Sequence, residues 1–443
     1  IFRLSIAKTN FMKFTLFVLL LLPLVTLSQF GFEFQSELPV YRNNQLLNNA
    51  WAGGLNFVQF SSLDYDFDGD EDLFLFDRSN NNIRLFENVV INGVRQYKYV
   101  HDAWKMFPQG IYSRATMVDY DNDGRKDIFC YGLGGLMVYR NIGDATNGLQ
   151  WELTKEIVYS SYNGILYNLA VTSTDIPAII DVDGDGDLDV LTFHMGGSHV
   201  EYHKNLSMDN YGIPDSLHFV LMNECWGKFE ENVNDNSITL DAQSYPCITG
   251  NIPNPEYPIN DRPIIDASFP KHAGSTVLAL DYDGNGVLDL ILGDISFPNL
   301  VLLMNGGTTV NSNSSMISYD MNFPSNSSPA NLHLFPAAFH VDVNFDGKRD
   351  LIIGASARNI SKNTNSVWFY ENIGTEQQPN FVFRTNEFLQ NTMIDHGRGS
   401  VPLLVDVDRD GLTDLIVANF YTVKDNGDYE SKMVYYKNTG TAT

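Results

Sequence analysis

Short apolar runs recur along the chain, separated by polar turns: LFLF, IFCYG, VLTFH, LILGD, LIIGAS and LIVAN. Runs of this length, bounded by Gly, Asn, Asp and Ser, predict β-strands rather than helices. A second set of runs follows the first and ends in Asn: IRLFENV, LMVYRNIG, HVEYHKN, LVLLMNGG, VWFYENIG and MVYYKNTG. An apolar strand that ends in Asn, with Gly soon after, fits a strand entering a tight turn. An aromatic-rich third run often comes next (YKYV, QWEL, HFVL, FVFR), and FGFEF near the N-terminus matches it. Three or four short strands per unit predict an all-β fold built from repeats.

Each strand of the first set is preceded by an acidic loop of one pattern, D-x-D/N-x-D/N-G-x-x-D. The six copies start at Asp64, Asp119, Asp181, Asp281, Asp342 and Asp406, at intervals of 55, 62, 100, 61 and 64 residues. A lone acidic run is ordinarily a solvated turn, but that reading does not place Gly69, Gly124, Gly186, Gly286, Gly347 and Gly411 in one register.

A chain that curls round a centre turns the oxygens of positions 1, 3 and 5 inward, and the glycine at position 6 permits the sharp turn. The carbonyl of position 7 can join them, and an Asp at position 9 closes the set. The candidate ligands are therefore Asp64, Asp66, Asp68, Asp70 and Asp72 in the first loop, and Asp119, Asp121, Asp123, Arg125 and Asp127 in the second. The third offers Asp181, Asp183, Asp185, Asp187 and Asp189, and the fourth Asp281, Asp283, Asn285, Val287 and Asp289. The fifth offers Asp342, Asn344, Asp346, Lys348 and Asp350, and the sixth Asp406, Asp408, Asp410, Leu412 and Asp414. Arg125, Val287, Lys348 and Leu412 enter through the main-chain carbonyl alone. Hard oxygen donors in this number favour Ca²⁺ over zinc or copper, and over Mg²⁺, which keeps more water. Asn285 and Asn344 keep an oxygen but lose a charge, so the fourth and fifth loops are expected to bind more weakly.

Charge and composition narrow the function. The 443-residue chain carries a formal charge of -26, against a nucleic-acid binder or simple attachment to anionic lipid. Six divalent ions, carrying 12 positive charges, would reduce it to about -14. Hydrophobic residues make up 44% of the chain, enough for a substantial core.

Lys13, the apolar run FTLFVLLLLPLVTL and the small residues Thr26 and Ser28 read as a signal peptide over 12–28, starting at Met12 and cleaved after Ser28. The expectation is an exported protein, secreted or held at the cell surface, with no membrane insertion once the signal is removed. The mature chain, 29–443, is then one repeat domain, with 206–270 as an insertion in its longest interval. Of three cysteines, Cys225 and Cys247 lie close enough in sequence to pair, and Cys130 sits in an apolar strand.

The repeated loop followed by DLIIGAS at Asp350–Ser356 resembles the FG-GAP repeat of integrin α-subunit propellers and the VCBS repeats of exported bacterial proteins. The resemblance covers nearly the whole mature chain, although only Gly354-Ala355-Ser356 approaches the Gly-Ala-Pro part of the motif. It implies a Ca²⁺-bearing β-propeller of six or seven blades, with the ions in hairpin loops away from the ligand face. It also implies a binding module for an extracellular glycan or protein, of undetermined oligomeric state. Trp51, Trp104, Trp226 and Trp368 are candidate contacts for sugar faces. Two alternatives stand beside it. One is a calcium-dependent polysaccharide-degrading enzyme of lyase type, for which His194, His199 and His203 form the best local cluster. The other is a scaffold domain of a larger surface protein. No G-x-S-x-G, H-E-x-x-H or P-loop motif supports catalysis, and the expectation is no enzyme.

Overall fold

The computed structural model describes residues 38–195, 197–241, 274–310, 314–358 and 360–440. The leader, FGFEF, Cys247 and the later part of the 206–270 segment lie outside the described residues. What is described is all-β but for a few short helical turns, the one α-helix being Ser207–Tyr211. No described helix is long and apolar enough to cross a membrane.

Six sheets carry the six acidic loops, each loop joining the antiparallel first and second strands of its sheet. The first sheet runs Val58–Leu63, Asp72–Asp77, Asn82–Ile91 and Val94–Tyr99 in sequence order. The second (Ala115–Lys155), fourth (Ser275–Phe323) and fifth (Pro336–Thr385) repeat that order. In the third, the strand Phe219–Trp226 is the neighbour of Val200–Asn205, and the hairpin Tyr159–Tyr162/Ile165–Asn168 adds in parallel beyond it. The sixth has three strands, Val401–Val405, Asp414–Ala418 and Met433–Tyr436. The aromatic runs YKYV, QWEL, HFVL and FVFR fall in the strands beside the Asn-ended ones.

Register is the same in all six. The residue before each loop pairs with the closing aspartate: Leu63 with Asp72, Val118 with Asp127, Ile180 with Asp189, Leu280 with Asp289, Val341 with Asp350 and Val405 with Asp414. The second strands of the first, fourth and fifth sheets are buried at every residue. That is why they read as continuous apolar runs rather than alternating ones.

The first five sheets pack in cyclic succession. Gln59 Oε1 and Ser61 Oγ accept from the backbone N–H groups of Ala115 and Met117, joining the first sheet to the second. Tyr120, Phe129 and Val138 meet Leu169, Val190 and Phe219 between the second and third. Leu191, Tyr202 and Trp226 meet Val277, Leu290 and Leu303 between the third and fourth. Ile291, Leu302 and Phe323 meet Ala338, Leu351 and Ile353 between the fourth and fifth. The fifth packs back on the first, with Phe339 and Phe60 ring centroids 5.7 Å apart.

The sixth sheet differs. Its first strand is exposed throughout, Leu403 and Leu404 being 56% and 68% accessible. The flank of the first sheet, where a sixth sheet would pack, is already covered by the fifth. The sixth is instead tied to the fifth sheet's loops, through the Val423 N–H on Asn363 Oδ1 and Lys362 on Asp425.

Cys225 is disulfide-bonded and Cys130 is free and buried.

Candidate metal centre

Four backbone-to-carboxylate bonds shape the acidic loops. At position 6 the glycine N–H donates to the second oxygen of position 1, at 2.8–3.0 Å in all six: Gly69 to Asp64, Gly124 to Asp119, Gly186 to Asp181, Gly286 to Asp281, Gly347 to Asp342 and Gly411 to Asp406. Gly186 sits at φ 101° and Gly69 at φ 96°, where a side chain would be strained. At position 5 the side-chain oxygen accepts from the N–H of position 7, at 2.8–3.1 Å: Asp68 from Asp70, Asp123 from Arg125, Asp185 from Asp187, Asn285 from Val287, Asp346 from Lys348 and Asp410 from Leu412.

The closing aspartate is held on both oxygens. One accepts from the N–H of position 2, the other from the N–H of the Asn in or just after the third strand: Asp72 from Asn88, Asp127 from Asn141, Asp189 from Asn205, Asp289 from Asn305, Asp350 from Asn372 and Asp414 from Asn438. The sequence flagged that Asn as a turn former. Its larger role is to lock the loop to the sheet, and its recurrence at the end of the second apolar run of each repeat was the available signal.

Positions 1, 3 and 9 converge. In Asp64/Asp66/Asp72, Asp119/Asp121/Asp127, Asp181/Asp183/Asp189, Asp281/Asp283/Asp289 and Asp406/Asp408/Asp414, one carboxylate oxygen from each residue lies within 4.8 Å of the other two. The fifth loop has Asn344 at position 3, which donates to Asp350 Oδ1 at 3.4 Å, so it gathers fewer charges. Positions 5 and 7 are not members of these trios. The Asp187 carboxylate accepts from the Met208 N–H at 2.8 Å, and Asp70 pairs with Arg95 at 3.7 Å.

Crowding carboxylates in a half-dry turn raises their affinity for protons. Burial pushes Asp72 and Asp127 up to about 7, Asp189 to about 8, and Asp289 and Asp350 to about 6; neighbouring carboxylates add to it and the backbone N–H bonds oppose it. Asp183 Oδ1 and Asp406 Oδ1 are buried with no hydrogen-bond partner. Oxygen-only donors, converging charge and partnerless oxygens all fit a divalent cation.

The histidines behave differently. His194 stacks on His199 with centroids 4.9 Å apart, and Glu201 lies 3.4 Å from His203 Nε2. His203 Nδ1 is 2.9 Å from Ser160 Oγ. Burial, then the neighbouring His194, holds His199 down to about 4. Of the tryptophans, Trp51 and Trp104 are exposed, Trp368 packs on Tyr370 and Phe383, and Trp226 is buried in the core.

Two segments, 119–192 and 342–417, match the FG-GAP-like repeat family. The chain carries FG-GAP-like repeats. The matched segments take in the second and third loops, and the fifth and sixth, which are the FG-GAP-like repeats with their second strands. No curated protein matches the chain. Solved structures similar to this FG-GAP-repeat chain include an Agrocybe aegerita lectin described as recognising non-reducing terminal N-acetylglucosamine. It is 16% identical, with 87% of this chain and 81% of that one covered and a TM-score of 0.31. Another is a Photorhabdus luminescens Tc holotoxin pore, 13% identical, with 83% of this chain covered and a TM-score of 0.30; the chain spans 13% of that one. Likenesses this distant leave fold and ligand to be argued from this chain's own residues.

Proposed function

We propose that this FG-GAP-repeat chain is an exported, calcium-stabilised β-propeller that binds an extracellular glycan or protein and is not an enzyme. The observation that carries the reading is the convergence of three carboxylates at positions 1, 3 and 9 of five loops, in one register. Such loops, unneutralised, repel themselves; a Ca²⁺ in each would pin the first hairpin of its sheet. The cyclic packing of the first five sheets supports a propeller arrangement. The signal-like leader supports export, and the net charge speaks against nucleic acid as partner.

A binding role fits the surface better than catalysis does. His199 and His203 are buried and already engaged with neighbours. Trp51 and Trp104 are the most exposed of the candidate tryptophans, and flat aromatic faces suit sugar rings or protein side chains. The test is a screen of 29–443, with Ca²⁺ and with EDTA, against soluble and insoluble polysaccharides, scoring retention and released reducing or unsaturated ends. Retention without product is expected. Product formation would overturn the non-enzyme reading, and no retention would move the ligand to protein. Calorimetry without calcium binding, together with a melting temperature indifferent to EDTA, would overturn the metal.

A further inference from the structure

Resting on the calcium reading, we propose that Arg140, Lys204 and Lys437 are built-in counter-cations. They occupy three of the six loops and, with Lys348 in the fifth, leave two tight sites and four weaker ones.

The residue immediately before the locking Asn varies from sheet to sheet: Glu87, Arg140, Lys204, Met304, Glu371 and Lys437. Where it is basic, it bridges positions 3 and 5. Lys204 Nζ lies 2.5 Å from Asp183 Oδ2 and 3.0 Å from Asp185 Oδ2, with Asp209 at 2.9 Å, and its side chain is largely buried. Arg140 Nε lies 2.6 Å from Asp121 Oδ2, and its Nη2 3.3 Å from Asp123 Oδ2. Lys437 pairs with Asp408, and with Asp410 at 3.1 Å. In the fifth loop Lys348, from position 7, takes a related place, 3.1 Å from Asp346 and donating to the Asn372 carbonyl at 2.6 Å.

The first and fourth loops are built otherwise. Glu371 of the fifth sheet is drawn aside to Arg384 at 2.5 Å, while Glu87 of the first adds negative charge beside Tyr65 rather than a cation. Met304 carries none. Among the described residues, no lysine or arginine pairs with positions 1, 3 or 5 of the first or fourth loop.

A metal ion entering the second, third or sixth loop therefore meets an ammonium or guanidinium already paired with two of its ligand residues, and must draw those carboxylates away from it. The cation stays tethered a few ångströms away and repels the ion. The same cation neutralises the loop when no metal is bound and holds it in shape. Acid count alone misorders the sites. The third loop has five aspartates, yet belongs to the weaker class, while the fourth, with Asn285, belongs to the tight one.

The test is a calorimetric calcium titration of 29–443 and two variants, each checked for folding by circular dichroism. The unaltered chain is expected to show two tight sites and a weaker class. Lys204→Met should add a third tight site by strengthening its loop at least about tenfold. Met304→Lys should remove one by a similar factor. If either variant loses its fold in EDTA, the other still decides. A single uniform class of sites, or a tight-site count that neither variant moves, overturns the built-in cations and leaves the calcium reading intact. No binding at all overturns both.

Discussion

The Asn372 N–H donates to Asp350 Oδ1 at 2.8 Å, across the 22 residues that separate the end of the third strand from the start of the second. The other Asp350 oxygen accepts from the Val343 N–H at 3.1 Å, and Asn372 Nδ2 returns to the Arg349 carbonyl at 3.1 Å. This loop has Asn344 in place of the position 3 carboxylate, yet it keeps the same lock as the others. The closing aspartate therefore has a structural role that does not depend on metal. Asp350→Ala leaves two backbone donors without acceptors in a buried place, and the expected cost is about 2–4 kcal/mol. Asp346→Asn, at an exposed position 5, is expected to stay within about 0.5 kcal/mol in chelator. Urea unfolding in excess EDTA measures both, and equal costs would refute the distinction.

Five of the six closing aspartates also set a pH dependence, the exception being Asp414, whose carboxyl the Asn438 N–H holds below its ordinary range. Burial raises Asp72, Asp127 and Asp189 to about 7, 7 and 8, and Asp289 and Asp350 to about 6, from an ordinary 3.8. Over this range the folded chain holds more protons than the unfolded one, so its stability falls as pH rises. The stability they contribute is complete below about pH 4 and is lost as pH climbs through 6 to 8. In EDTA the melting temperature is expected to drop between pH 5 and pH 8, roughly the span of these shifts. A divalent cation favours the ionised form and should flatten or reverse that trend. A metal-free profile that is flat over this range would refute the assignment.

Gly354 and Gly293 hold equivalent places in the second strands of the fifth and fourth sheets. A Cβ on Gly354 would stand 2.6 Å from the Val58 carbonyl oxygen of the first sheet. One on Gly293 would stand 2.0 Å from that of Pro336 in the fifth. Both oxygens belong to main chain and cannot swing away. Alanine at either place is expected to cost about 1–3 kcal/mol by forcing neighbouring sheets apart. Unchanged melting in both variants would mean that the sheets do not approach this closely.

Much of the candidate site was legible because its determinants are local. The position 6 glycines and the spacing of Asp181, Asp183 and Asp189 declare a turn that gathers oxygens, and the fully buried second strands announce themselves as unbroken apolar runs. What stayed hidden depends on pairing. Asn205 locks Asp189, and Lys204 enters the loop, because antiparallel register carries the third strand back beside the second. A motif read along the chain contains neither partner. The close approach at Gly354 was invisible for the same reason, since Val58 lies in the first sheet.

The sixth repeat shows where sequence similarity and packing part. VPLLV before Asp406 resembles the first strands of the other repeats, and the expectation from sequence is six equivalent units. Yet Leu403 and Leu404 are exposed, whereas Leu351 and Ile352 of the fifth sheet are fully buried. Exposed apolar groups gain little from folding, while a buried one loses both its transfer energy and its packing when removed. Leu404→Ala is expected to stay within about 0.5 kcal/mol. Ile352→Ala should cost about 2–5 kcal/mol, because it opens a cavity where the fifth sheet meets the first. Thermal unfolding of the two variants in the same buffer compares them directly. A large cost at Leu404 would mean that the sixth sheet packs inside the assembly, between the fifth and the first, and would break the direct contact of Phe339 with Phe60.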